Sequence, residues 1–227
     1  MPVYRLSEEL LFPLPENARE DGLLAIGGDL SAARLLLAYE NGIFPWFSKN
    51  EPILWWSPDP RFILFTDKIH VSKSMKKFLK KEVFKVTFDT AFLEVVTNCS
   101  KIKRPKQKGT WITKEMIAAY QNLHDIGVAH SAEVWQDGVL CGGIYGISLG
   151  GCFFGESMFS KKDNASKVAL VVLLKKLKEK NISILDCQVY SDHLKTMGAE
   201  EISRNLFLDI LKKELMKKSI LGKWTNI

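Results

Sequence analysis

The 227-residue sequence predicts an α+β fold with a mixed, mainly antiparallel sheet, and three observations carry that expectation. From Ala129 onward, three segments of strand composition follow one another across Asp137-Gly138 and Gly150-Gly151, the pattern of a β-meander. A long helical run then leads to a strand that must enter parallel and to a second short helix, an order of grouped strands and helices rather than strict βαβ alternation. Before these, residues 1–60 are rich in Pro, Gly and Trp, and the texture changes after Pro58-Asp-Pro60. A small N-terminal domain over 1–60 and a larger GNAT-like one over 61–227 are expected.

The elements follow in order. In residues 1–60 one helix is expected, with Asp29 or Ser31 capping the run Ala32-Ala-Arg-Leu-Leu-Leu-Ala-Tyr, and the rest reads as loop. Phe62-Ile-Leu-Phe reads as a strand, and Ser72 to Lys81 as a short helix turning Met75, Phe78 and Leu79 inward. Val83-Phe-Lys-Val-Thr-Phe alternates as a strand, and Thr90 to Cys99 is helical. Thr113 to Ile126 is an amphipathic helix with Thr113 as N-cap and Glu115 in its first turn, where a negative charge suits the helix dipole. Ser131-Ala-Glu-Val-Trp, Val139 to Ser148 and Cys152 to Met158 are the meander strands. Asn164-Ala-Ser caps a helix through Val168-Ala-Leu-Val-Val-Leu-Leu, the strand Ile182 to Val189 follows, and a last helix runs near Ser191 to Met197.

Composition narrows the function classes. Apolar residues make up 46% and charged residues 26%, ordinary globular values that leave no low-complexity reading. A net charge of +6 and a pI near 9.0 are compatible with a polyanionic partner without deciding for one. Cys99, Cys141, Cys152 and Cys187 lie far apart with no C-x-x-C pair, and His70, His124, His130 and His193 show no ligand spacing, so no metal is expected. The N-terminus carries acids and no apolar run, so a cytoplasmic protein is expected rather than a secreted one. The uncharged stretch from Gly138 to Gly155 contains seven glycines and reads as a buried hairpin, not a membrane span.

Three groups of residues carry candidate chemistry. Trp55 and Trp56 sit in an apolar Ile-Leu-Trp-Trp run and read as core, whereas Trp46 and Trp111 lie on loops, where an indole can stack on an unpaired base. Lys73, Lys76, Lys77 and Lys80 share one helical face, and Lys101, Lys103, Arg104, Lys106 and Lys108 follow in a loop near Trp111. Such runs are usually solvated surface, but here they can also line a phosphate backbone. Asp186 and Gln188 are two apart on a predicted strand and so project from one face, with Glu156 on a neighbouring strand. From pattern alone Asp186 and Glu156 are equally well acids that satisfy backbone donors at strand ends.

The element order resembles the core of GNAT-type acyltransferases, with one departure. Those enzymes hold the coenzyme A pyrophosphate on a glycine-rich loop at a helix N-terminus, and the corresponding loop here, Ser160-Lys-Lys-Asp-Asn-Ala-Ser, has no glycine. An acetyl-CoA donor is therefore disfavoured. The strings Gly22-Leu-Leu-Ala-Ile-Gly-Gly-Asp-Leu-Ser, Gly42-Ile-Phe-Pro-Trp-Phe, Pro52-Ile-Leu-Trp-Trp-Ser-Pro-Asp-Pro-Arg61, Gly109-Thr-Trp-Ile-Thr, Gly155-Glu-Ser-Met-Phe-Ser and Leu185-Asp-Cys-Gln-Val closely resemble the leucyl/phenylalanyl-tRNA-protein transferases. The match spans nearly the whole chain.

That resemblance implies an enzyme that moves Leu, Phe or Met from aminoacyl-tRNA to proteins beginning with Lys or Arg, marking them for degradation, without a cofactor. By the same resemblance, Trp46 and Trp111 contact the terminal adenosine and Asp186, Gln188 and Glu156 are catalytic, while the shared helical face of Lys73, Lys76, Lys77 and Lys80 itself favours an acceptor-stem footprint. The donor side chain would enter a pocket of Ile144, Phe153, Met158, Leu170, Leu173, Leu177 and Leu185, with Ile144 where the family tends to have Met. A monomer with no membrane attachment is expected. The alternatives are a GNAT-like acyltransferase with a soluble donor and a non-catalytic module that binds tRNA ends.

Overall fold

The computed structural model describes residues 3–102 and 110–226. The first sixty residues hold more structure than one helix. Strands β1 (Tyr4–Leu6), β2 (Leu23–Gly27), β3 (Phe44–Pro45) and β4 (Leu54–Trp56) form a four-stranded sheet in the order β1-β2-β4-β3, with helix α1 (Ala32–Glu40) between β2 and β3. The expectation of loop is thus corrected. Strands of two to five residues are too short to display a period, and tertiary packing defines them. Trp55 does so from β4: it is fully buried, its indole N–H donates to the Gly27 carbonyl at 2.9 Å, and Phe12 meets it edge-on. At α1 the Ser31 hydroxyl accepts the Arg34 N–H as expected of a cap, while Asp29 accepts from Ser31 and from the Arg34 side chain.

The remaining elements are β5 (Arg61–Phe65), α2 (Lys73–Leu79), β6 (Lys85–Phe88), α3 (Phe92–Lys101), α4 (Lys114–Asp125), β7 (Ala129–Gln136), β8 (Val139–Leu149), β9 (Cys152–Ser160), α5 (Ala165–Glu179), β10 (Ile184–Gln188), α6 (Asp192–Thr196), β11 (Glu200–Ile202) and α7 (Arg204–Glu214). Their seven strands order as β11-β5-β10-β9-β8-β7-β6, antiparallel except for the β9–β10 pair. The α+β class and the mixed, mainly antiparallel sheet are as the sequence predicts. Asp137 and Gly138 both take positive φ, 52° and 75°, the geometry a tight hairpin requires.

Two clusters of buried apolar side chains pack the molecule. One gathers residues of α1, α3, α4 and the first sheet; the other gathers α5 with Ile144, Phe153 and Leu185. The cap of α5 differs from expectation. Asn164 occupies the N-cap position in left-handed backbone (φ 67°) and makes no side-chain cap bond; the Ser160 hydroxyl, at the end of β9, accepts the Ser166 N–H at 3.2 Å instead. Asparagine tolerates that conformation, which frees its side chain from the capping geometry. Beyond Gly198 the sequence pattern predicts no element. There β11 extends the sheet edge, and α7 begins at the Ser203 cap.

Candidate active site

The site is built on two β-bulges that face each other across β9 and β10. In the β8–β9 ladder Tyr145 pairs with Ser157 and Gly146 with Gly155, so Glu156 is the extra residue. In the β5–β10 ladder Ile63 pairs with Asp186 and Phe62 with Gln188, so Cys187 is extra and Gln188 is driven to φ 66°. Bulges re-aim side chains where simple alternation would not. Strand alternation alone put Asp186 and Gln188 on one face; the bulge instead gives them different partners.

Asp186 is completely buried and turned to Arg61, the first residue of β5. The guanidinium Nε and Nη2 donate to its two carboxylate oxygens at 2.9 and 2.6 Å, and the guanidinium lies between the rings of Phe44 and Phe207. The same Asp186 Oδ1 accepts the backbone N–H of Gln188 at 2.9 Å, which anchors the bulge. Gln188 is thereby directed at Glu156, donating from Nε2 to Oε1 at 2.8 Å.

Glu156 is where four elements meet. Besides Gln188 of β10, Tyr39 of α1 reaches Oε1 at 2.8 Å and Tyr120 of α4 reaches Oε2 at 2.6 Å, and the two hydroxyls lie 2.7 Å apart. Burial raises the Glu156 pKa to about 7 against the opposing pull of the Tyr120, Tyr39 and Gln188 hydrogen bonds, and the Asp186 charge adds to the rise. Gly146 makes room for this bulge. A Cβ there would stand 2.2 Å from the Phe154 carbonyl and 2.4 Å from the Phe153 ring. Gly146→Ala is therefore expected to cost about 1–3 kcal/mol of stability, read by urea denaturation, and an unchanged midpoint would mean that the bulge relaxes freely.

These groups open onto one cleft of about 330 Å³ lined by Trp46, Trp111, Ile144, Glu156, Met158, Leu185, Asp186, Cys187, Gln188 and neighbours. Trp46 is 37% exposed, follows β3 and leans on Trp56; Trp111 precedes α4, whose N-cap is Thr113 as expected. Of the seven apolar residues in the expected donor pocket, Ile144, Met158 and Leu185 line the cleft. Phe153, Leu170, Leu173 and Leu177 are buried in the same apolar cluster behind them. Lys73, Lys76, Lys77 and Lys80 lie on α2 and its C-cap, away from the buried side of that helix. The basic positions Lys103 to Lys108 lie outside the described residues. Among the described residues no group of three His, Cys, Asp or Glu could hold a metal ion, and no helix is long and apolar enough to cross a membrane.

The family described as leucyl/phenylalanyl-tRNA protein transferase matches residues 63–212, and its N-terminal domain matches residues 28–59. This chain belongs to that family. A leucyl/phenylalanyl-tRNA–protein transferase of Syntrophus aciditrophicus (strain SB) is 53% identical over 226 residues, covering 100% of this chain and 95% of the relative. Relatives with the same description in Flavobacterium johnsoniae and Myxococcus xanthus are 57% and 50% identical, covering 93% and 100% of this chain and 100% and 97% of their own lengths. Among solved structures, L-PGS from Bacillus licheniformis is 13% identical with a TM-score of 0.41, over 75% of this chain and 56% of that one. A GCN5-related N-acetyltransferase from Kribbella flavida is 7% identical with a TM-score of 0.39, over 74% and 60%.

Three residues complete this site without a signal in the sequence: Arg61, Tyr39 and Tyr120. Tyr39 and Tyr120 are 81 positions apart, and Arg61 is 125 positions from Asp186. In one dimension a tyrosine on the apolar face of a helix is indistinguishable from core, and no spacing signal joins it to Glu156.

Proposed function

We propose that this enzyme transfers leucine, phenylalanine or methionine from the 3′ end of an aminoacyl-tRNA to the α-amine of a protein that begins with Lys or Arg, marking that protein for degradation. The observation that carries the reading is one cleft that combines two tryptophans, an apolar wall and the Glu156–Gln188 pair. Trp46 and Trp111 stack the terminal adenosine. Ile144, Met158 and Leu185 take the donor side chain, with Phe153, Leu170, Leu173 and Leu177 as the packed layer behind, and burying a leucine or phenylalanine there contributes about 1.5–3 kcal/mol. The ester is already activated, so the reaction needs alignment and a route for one proton. Gln188, whose amide N–H is given to Glu156, offers its amide oxygen to the acceptor amine, whose pKa of about 7.7–8.0 leaves roughly a tenth of it neutral at pH 7. Asp186, committed to Arg61, holds Gln188 in place.

The start of α5 supports an aminoacyl-tRNA donor over acetyl-CoA. The Ala165 and Ser166 N–H groups are already bonded to the Lys162 carbonyl and the Ser160 hydroxyl, leaving a poor cradle for pyrophosphate. A donor competition tests this reading: labelled leucyl-tRNA and acetyl-CoA are offered together to a peptide beginning with Arg. Label should pass from the tRNA alone, and acetylation of the peptide would overturn the proposal.

Two further expectations concern the donor. Trp46→Ala and Trp111→Ala should each weaken binding of a short aminoacyl-adenosine analogue by about 1–3 kcal/mol, measured by calorimetry, while melting close to wild type. Neutralising Lys76, Lys77 and Lys80 together should flatten the slope of log tRNA affinity against log salt by about 0.7–0.9 for each phosphate no longer neutralised. An unchanged slope would remove α2 from the tRNA footprint.

A further inference from the structure

Glu156, Tyr39 and Tyr120 make three oxygen–oxygen contacts that close on themselves: 2.8 Å from Tyr39 to Oε1, 2.6 Å from Tyr120 to Oε2, and 2.7 Å between the hydroxyls. Contacts this short between oxygens each need a proton between them. The phenols supply two. Were Glu156 ionised, both phenol protons would point to the carboxylate, and the two phenolic oxygens would face each other at 2.7 Å with no hydrogen between. Turning one phenol toward the other only moves the bare contact onto a carboxylate oxygen. A third proton, on the carboxyl group, fills all three contacts. We infer that Glu156, Tyr39 and Tyr120 form a closed ring of three protons, in which Glu156 is a neutral acid and the tyrosines carry its proton from one carboxyl oxygen to the other.

The surroundings agree with this count. Tyr39 approaches from α1, Tyr120 from α4 and Gln188 from β10; Asp186, paired to Arg61, places its charge where it disfavours an ionised Glu156, and Tyr145 of β8 packs edge-on against Tyr120. Burial holds both phenols well above their ordinary pKa, so they keep their protons. Neither tyrosine is among the residues lining the cleft. They are positioning residues that act through Glu156.

The consequence for catalysis rests on the transfer reading above. In that reaction a bond forms between the acceptor α-nitrogen and the aminoacyl carbonyl carbon, the bond from that carbon to the ribose oxygen breaks, and the proton lost by nitrogen ends on the ribose oxygen. Tyr39 and Gln188 fill Oε1, so the ring meets substrate at Oε2: as the Oε2 proton passes to the ribose oxygen, the proton lost by nitrogen takes its place and the phenol protons shift in step. It finishes as it began, without rotation of the carboxyl group.

Two measurements test the inference. Infrared difference spectra of the unliganded protein against Glu156→Gln should contain the carbonyl band of a protonated carboxylic acid at neutral pH, fading as pH rises. Tyr39→Phe and Tyr120→Phe should each slow single-turnover transfer on the order of 100-fold. Combining them should add little, because either one opens the ring. In mixtures of light and heavy water the wild-type rate should curve with deuterium fraction, and in either phenylalanine variant it should become linear. A carboxylate band alone at neutral pH overturns the ring. Phenylalanine variants that keep the wild-type rate and curvature overturn its role as a relay. If the protonated band is present but the wild type transfers no leucine, the ring stands and the functional reading falls.

Discussion

Arg61→Met should lose about 3–5 kcal/mol of folding stability, the cost of leaving a buried charge without its partner. Arg61 and Asp186 have side chains 1% and 0% exposed and share a two-point hydrogen bond. Methionine would fill the space between Phe44 and Phe207, so the loss comes from Asp186 rather than from a cavity. Adding Asp186→Asn to Arg61→Met removes the orphaned charge and should recover part of the loss, a coupling readable from a double-mutant cycle in urea. If the single variant unfolds at the wild-type midpoint, the pair does not hold the β10 bulge. The transfer rate should fall with stability only where Gln188 loses its anchor, so Asp186→Asn alone, which keeps an acceptor for the Gln188 N–H, should transfer better than Arg61→Met.

Glu156→Gln should make the protein more stable in mild alkali. The sign follows from proton uptake: with a folded pKa near 7 against an ordinary value of 4.5, the native state binds more protons than the unfolded chain between those limits. The contribution of the neutral acid is therefore fully present below about pH 4.5 and is lost as pH rises through about 7. Glutamine stays neutral throughout. The stability difference between variant and wild type should grow from near zero in acid to about 3 kcal/mol above pH 8, at about 1.4 kcal/mol per pKa unit. Urea denaturation at a series of pH values reads it, and a difference that does not change with pH would mean that Glu156 titrates normally. In the same variant transfer should fail, because an amide can reproduce the hydrogen bonds of Glu156 but cannot surrender a proton.

Short-range signals were legible. The Ser31 and Thr113 caps, the Asp137-Gly138 turn and the meander strands depend on residues within one turn or one strand of each other, and the sequence displays them directly. Trp46 and Trp111 stood out because an indole on a Pro- or Gly-flanked loop has little reason to be there for packing alone, and both line the cleft. Long-range and short-element features were hidden. The N-terminal sheet is made of strands too brief to show a period, and its definition comes from the burial of Trp55. Asp186 and Gln188 line one cleft, but through a bulge rather than through alternation, which gives no hint of it or of an arginine 125 positions away. The tyrosines on Glu156 looked like core because, apart from their hydroxyls, they are core.

The most direct test of the proposed transfer is the chemical identity of the product. A peptide beginning with Arg and carrying an internal lysine is incubated with leucyl-tRNA and the enzyme, then sequenced by tandem mass spectrometry. The expected product carries one added leucine, joined by a peptide bond to the α-amine of the first residue, and a peptide whose α-amine is blocked should carry none. Leucine on the lysine side chain, or leucyl-tRNA that is bound yet returned unchanged, would contradict it.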